Sequence, residues 1–269
     1  MTIVPLFGHA ALRATLGEAF ARGALPAALL LQGQRGIGKQ RLAIWVARLL
    51  LCEAPRREPC DRCEGCRFAG DLKHPDLHWF FPLPRPKDTD PALEDVRGDY
   101  AEAVANRAAD HGLYESPSGS DGIYVATVRA IVQQAVMSPA MARRKVFIIG
   151  DAERMVPQEG SEYAANAFLK LLEEPPANTQ LLLTSSEPGA LLPTVRSRVV
   201  SFRVPLLSAE DVRSFLEHPT VANHLAKSKE NLADSETLIA RAGGAPGRLL
   251  DGDAWKSAKE NAERLLNSL

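Results

Sequence analysis

The sequence predicts an α/β fold on a parallel sheet, with a metal-binding excursion near its start and a small helical domain after it. Three observations predict it: a glycine-rich turn between an apolar run and a helix, a second apolar run ending in an acidic residue, and four cysteines crowded between positions 52 and 66.

The run Ala27-Ala28-Leu29-Leu30-Leu31-Gln32 reads as a buried strand, and residues 39–51 as a helix with Leu42, Val46 and Leu49 on one face. Between them stands Gly33-Gln34-Arg35-Gly36-Ile37-Gly38-Lys39-Gln40. In a working phosphate loop of pattern G-x-x-x-x-G-K-[ST], glycines let backbone N–H groups wrap the phosphates. The lysine reaches the terminal phosphates, and a hydroxyl holds Mg²⁺. Gly33, Gly36, Gly38 and Lys39 fit that pattern, but Gln40 occupies the hydroxyl position. Its amide is a poor replacement for the small oxygen ligand that a hard cation wants. Phosphate binding and hydrolysis are therefore separate questions here.

Cys52, Cys60, Cys63 and Cys66 come next. Two-residue gaps let three thiolates converge on one centre, and Cys52, at the end of the preceding helix, supplies a fourth. The natural product is a closed, structural Cys₄ zinc site with no open position for water; reduced cysteines in a surface loop are the plain alternative and an iron–sulfur cluster the chemical one. His74 and His78 are surplus to that set and read as loop or strand residues. Residues 82–122 are rich in proline and acidic side chains and read as an exposed, partly mobile polar insert whose part from 100 to 111 can be helical.

Lys145-Val146-Phe147-Ile148-Ile149-Gly150-Asp151 is the second buried-strand run. An ATPase with such a loop carries an Asp-Glu pair here; this chain has Gly150-Asp151, so the metal-anchoring carboxylate is missing and the second is shortened. Gln40 and Gly150 are thus defective together, and jointly they argue against hydrolysis.

The chain has 269 residues, 45% hydrophobic and 24% charged, with a formal net charge of −1. That composition allows one large or two modest domains, and no overall basic field draws it to nucleic acid or an anionic membrane. No apolar stretch approaches membrane-spanning length and the first residues lack the pattern of a signal peptide, so the sequence reads as cytoplasmic.

The loop, the four cysteines, His74-Pro75-Asp76 and the run Asn166-Ala167-Phe168-Leu169-Lys170-Leu171-Leu172-Glu173-Glu174-Pro175-Pro176 together resemble the AAA+ subunits of the bacterial DNA polymerase III clamp loader. The spoiled loop and missing carboxylate resemble the delta-prime branch rather than the ATP-hydrolysing gamma/tau branch. That resemblance implies an AAA+ P-loop NTPase-like domain over 1–204, with a zinc module at 52–66, a helical lid over 205–250, and the start of a helical collar over 251–269. Ser208 and Asp211 form a capping-box pattern at the lid's first helix. With so little sequence for the collar, the expectation is a naturally short or a truncated member.

The resemblance further implies residue roles. Arg198, in Arg196-Ser197-Arg198, matches an arginine finger that reaches a neighbouring subunit's nucleotide. Thr184 matches a sensor 1 position, with a strand-end turn as the plain alternative, and Arg248 matches sensor 2, with an ordinary helix-start arginine as its alternative. The implied function is a non-hydrolysing component of the DNA-directed DNA polymerase III holoenzyme, contacting gamma/tau and delta subunits and, through them, the sliding clamp and primed DNA. The rivals are an active gamma/tau-type ATPase and an unrelated zinc-containing nucleotide-binding module.

Overall fold

The computed structural model describes residues 3–88, 90–155, 162–227, 234–251 and 264. Its elements run α1 (Ala10–Ala21), β1 (Ala28–Gln32), α2 (Lys39–Leu51), α3 (Glu64–Gly70), β2 (Leu77–Phe80), α4 (Leu93–Ala109), α5 (Val125–Ala135), β3 (Lys145–Ile149), α6 (Glu162–Glu173), β4 (Thr179–Ser185), α7 (Pro193–Arg196), β5 (Val200–Arg203), α8 (Ala209–Glu217), α9 (Pro219–Lys227) and α10 (Ser235–Ala242). Among the described residues the strands pair in the order β2-β3-β4-β1-β5, every pairing parallel.

Side-chain alternation divides the sheet. Leu29, Leu31, Val146, Ile148 and Leu182 face one way and pack with α2, whereas Leu30, Phe147, Ile149, Leu181 and Leu183 face the other and pack with residues of α4, α5 and α6. Both faces are covered, which is why these strands are continuous apolar runs rather than alternating ones. After β5, helices α8 to α10 build a separate apolar cluster around Val212, Phe215, Val221, Leu225 and Leu238. The capping box at Ser208 and Asp211 starts α8 as its sequence predicts. Most of 251–269, the expected collar segment, lies outside the described residues.

The polar insert departs from its expectation. It contains a helix over Leu93–Ala109, longer and earlier than predicted, and its neck is closed by paired backbone hydrogen bonds between Leu83 and Gly122 of 3.1 and 2.9 Å. Glu94 and Asp95 suit the positive end of the helix dipole, and Val96 and Tyr100, one turn apart, are buried. Glu94, Asp95, Asp99 and Glu102, among the acidic residues that suggested a mobile loop, occupy the solvent side of a packed helix.

Asp76, almost fully buried, fixes the approach to β3 by accepting the backbone N–H groups of Ala140, Met141 and Ala142 at 2.6, 2.8 and 2.6 Å. Burial would raise its carboxyl, but these three donors outweigh it and hold the group below the ordinary carboxylate range. The folded chain therefore binds a proton at Asp76 less readily than the unfolded chain. Its stabilisation is complete above about pH 4 and fades as pH falls through the depressed native value. Asp76→Asn is expected to lose about 1–3 kcal/mol at neutral pH, with the gap to the parent narrowing in acid, as denaturant titrations across pH would measure.

Candidate functional site

The loop between β1 and α2 keeps its glycine geometry. Gly36 and Gly38 have φ of +83° and +90°, and a β-carbon on Gly33 would meet Val204 O at 2.6 Å. Lys39 is buried at the start of α2, where Nζ donates to Gln34 O and Ser186 Oγ, both at 2.8 Å. Burial brings its pKa down to about 8, opposed by the negative charges of Asp151 and Glu153.

Where a divalent metal would sit, the chain has built something else. Nε2 of Gln40 donates to Asp151 Oδ2 at 3.0 Å, and Oε1 accepts Trp79 Nε1–H at 3.0 Å and an Arg107 guanidinium N–H at 3.4 Å. A β-carbon placed on Gly150 lies 2.5 Å from Oε1 and 2.6 Å from the amide carbon of Gln40. The two departures are therefore one: the glutamine amide fills the space from which an aspartate at 150 would project. Burial raises the Asp151 carboxyl, Glu153 adds to the rise, and Lys39 and Arg107 oppose it. An amide, a single carboxylate and a nearby guanidinium do not make the oxygen-rich octahedral shell that Mg²⁺ requires.

The other predicted residues separate into those at the loop and those away from it. Thr184 is fully buried within β4, not at a strand-end turn, and its Oγ1 accepts the N–H of Asp151 at 3.1 Å. Ser186, two residues on, is the side chain that meets Lys39. Arg248 donates to Gln34 Oε1 at 3.0 Å, and the neighbouring Gly247 N–H bonds Gly36 O at 2.9 Å, which draws the chain after α10 onto the loop. Together the loop, Leu6, Phe7, Tyr114 and Phe215 enclose a cavity of about 140 Å³, below the roughly 300–1,000 Å³ of typical ligand pockets.

Arg198 is held on α6 and α7 instead. Its Nε and Nη2 reach Glu173 Oε1 at 2.6 and 2.5 Å, and Nη1 donates to Thr194 O at 2.9 Å. The pair is partly solvent-exposed, the arginine side chain less so than Glu173.

The four cysteines meet at the other end of α2. Sγ atoms of Cys52, Cys60, Cys63 and Cys66 all lie within 4.8 Å of one another, with Cys60–Cys66 at 4.0 Å and Cys52–Cys63 at 3.9 Å. A tetrahedron with bonds of about 2.3 Å has sulfur–sulfur edges of roughly 3.8 Å, so the set fits a four-coordinate metal ion such as zinc. Backbone N–H groups of Cys60, Cys63 and Cys66 donate to Cys52, Cys60 and Cys63 sulfur, each at 3.4 Å. Such donors pull the Cys60 thiol down to about 6, whereas burial pushes Cys52 and Cys66 up. Cys63 also caps α3.

Trp79, Arg107, Ser186 and Glu173 are site residues that motif reading does not single out as such. Ser186 stands beside the predicted Thr184, and Glu173 lies in the quoted Glu-Glu-Pro-Pro run; Arg107 and Trp79 carry no local signal at all.

Residues 8–208 match the protein family described as DNA polymerase III, delta subunit. The DNA polymerase III subunit delta′ of Pseudomonas aeruginosa is 33% identical over 220 residues, 81% of this chain and 53% of that protein. The delta′ subunit of Escherichia coli is 26% identical over 243 residues, 90% of this chain and 60% of that protein. The tau subunit of Escherichia coli is 27% identical over 251 residues, 93% of this chain and 32% of that protein. The chain thus spans about half the length of these delta′ relatives.

Proposed function

This chain belongs to the DNA polymerase III delta-subunit family, and we propose that it is a delta-prime-type clamp-loader subunit that does not itself hydrolyse ATP. The observation that carries the reading is the Gln40 amide lying over Gly150 and bonded to Asp151, in the space where a metal-binding carboxylate would stand. Loop glycines and Lys39 remain, so weak phosphate affinity survives without the Mg²⁺ support that hydrolysis needs.

In this reading the protein acts through its neighbours in a ring with gamma/tau and delta subunits, which places a sliding clamp on primed DNA. Arg198 is the residue it contributes to chemistry. Held at the surface by Glu173 and Thr194, it moves onto the phosphates of an adjacent subunit and offers a planar fork to the charge that develops there. The helices over 205–250 serve as the lid, and Arg248 braces the loop rather than a γ-phosphate.

The cysteines fix architecture. Zinc held by Cys52, Cys60, Cys63 and Cys66 takes no part in the reaction; it ties the end of α2 to α3. Metal analysis of the purified chain is expected to find about one zinc per chain, and Cys63→Ser to lower both metal content and melting temperature. A metal-free native chain of unchanged stability would reject the site.

Arg198→Ala in a ring assembled with gamma/tau and delta subunits is expected to leave assembly intact and lower turnover at the dependent site on the order of 10³-fold, with poor rescue by Arg198→Lys. Unchanged clamp-stimulated ATPase would remove the finger. Mg²⁺-dependent turnover by the isolated chain, lost on Lys39→Ala, would overturn the non-hydrolysing reading itself.

A further inference from the structure

We infer that the segment 82–122 delivers a permanent internal cation, the Arg107 guanidinium, to the compartment that a divalent metal occupies in a working phosphate loop. The inference deepens the non-hydrolysing reading and rests on it, adding a third residue to the Gln40 and Gly150 pair and a purpose for the insert.

The delivery is built rather than incidental. Tyr100, near the middle of α4, donates its hydroxyl to Phe81 O at 2.7 Å and sets the helix against the end of β2. The exit of α4 is clamped to α2 by Arg41, whose Nη2 donates to His111 O and Gly112 O at 3.0 Å each. His111 and Gly112 both take positive φ, 53° and 69°, and a β-carbon on Gly112 would stand 2.5 Å from the Arg41 guanidinium. Between these anchors, Arg107 lies 4.6, 3.2 and 3.8 Å from the ring centres of Trp79, Phe81 and Tyr114. Aromatic faces hold a guanidinium by cation–π attraction while shielding it from water. Among the described residues its hydrogen-bond acceptor is Gln40 Oε1 at 3.4 Å.

That oxygen marks the place where a side chain at 150 would begin. A carboxylate restored there would project into hydrogen-bonding range of Arg107, which offers a fixed fork in place of a hydrated ion that dehydrates reluctantly. The guanidinium's charge also repels a divalent cation placed beside it. Restoring the hydroxyl and carboxylate alone therefore does not restore the metal.

The test compares two variants of the full chain, Gln40→Thr/Gly150→Asp and the same pair with Arg107→Met, using fluorescent N-methylanthraniloyl-ADP as the probe in MgCl₂ and in EDTA. The double variant is expected to bind equally in both, and the triple variant to gain at least about tenfold from Mg²⁺. A double variant that gains as much from Mg²⁺ as the triple overturns the inference, as does a triple variant indifferent to Mg²⁺. Both comparisons are independent of whether the unmodified chain turns over ATP, so failure here leaves the non-hydrolysing reading to its own assay. If the triple variant does not fold, denaturant midpoints of Arg107→Met, Gln40→Ala and their combination decide. Non-additive losses support the inference, and strictly additive losses overturn it.

Discussion

One side-chain amide organises the degenerate site. Gln40 follows Lys39 in the first turn of α2, and its amide lies against the backbone at Gly150 so closely that a β-carbon there would stand 2.5 Å from Oε1. A side chain at position 150 has to push the amide away from its partners. With glycine there, Asp151 turns its carboxylate onto the amide and Trp79 supplies the remaining N–H. Both polar atoms of this buried amide have partners, which is the condition for its being there at all. The residues at positions 40 and 150 are thus packed as one unit.

Helix α2 carries that repacking to the rest of the molecule. It is buried along nearly its whole length, including Lys39 and Gln40 at one end and Leu49, Leu50 and Leu51 at the other, and Cys52 follows directly. The phosphate loop and the cysteine cluster are thus opposite ends of one rigid rod in the core. The four cysteine sulfurs gather at the far end of the helix whose near end carries Gln40. Lys39 Nζ is bonded to Gln34 O and Ser186 Oγ, which ties the start of α2 to the loop and to the end of β4.

What the sequence made legible was local in chain terms. The strand–loop–helix unit, the cysteine set, the β3 run and the Ser208–Asp211 cap are each written within one short contiguous stretch of chain, and each appears where its pattern puts it. What stayed illegible depends on contacts far apart in sequence. The clash between Gln40 and Gly150 spans more than a hundred positions, and an acidic, proline-rich stretch gives no hint that Arg107 within it will stack on Trp79 and Phe81. Thr184 illustrates a subtler limit: the motif places it near the loop, but strand β4 continues to Ser185, with Thr184 Oγ1 accepting the N–H of Asp151 and Ser186 left to meet Lys39.

The central claim is that positions 40 and 150 are energetically one site, and a double-mutant cycle on the unmodified background measures that directly. Denaturant unfolding of the parent, Gly150→Ala, Gln40→Ala and the double variant gives the coupling. The account predicts that Gly150→Ala costs about 1–3 kcal/mol beside Gln40 and far less beside alanine, a coupling of at least about 1 kcal/mol. Equal losses from Gly150→Ala in both backgrounds would contradict it.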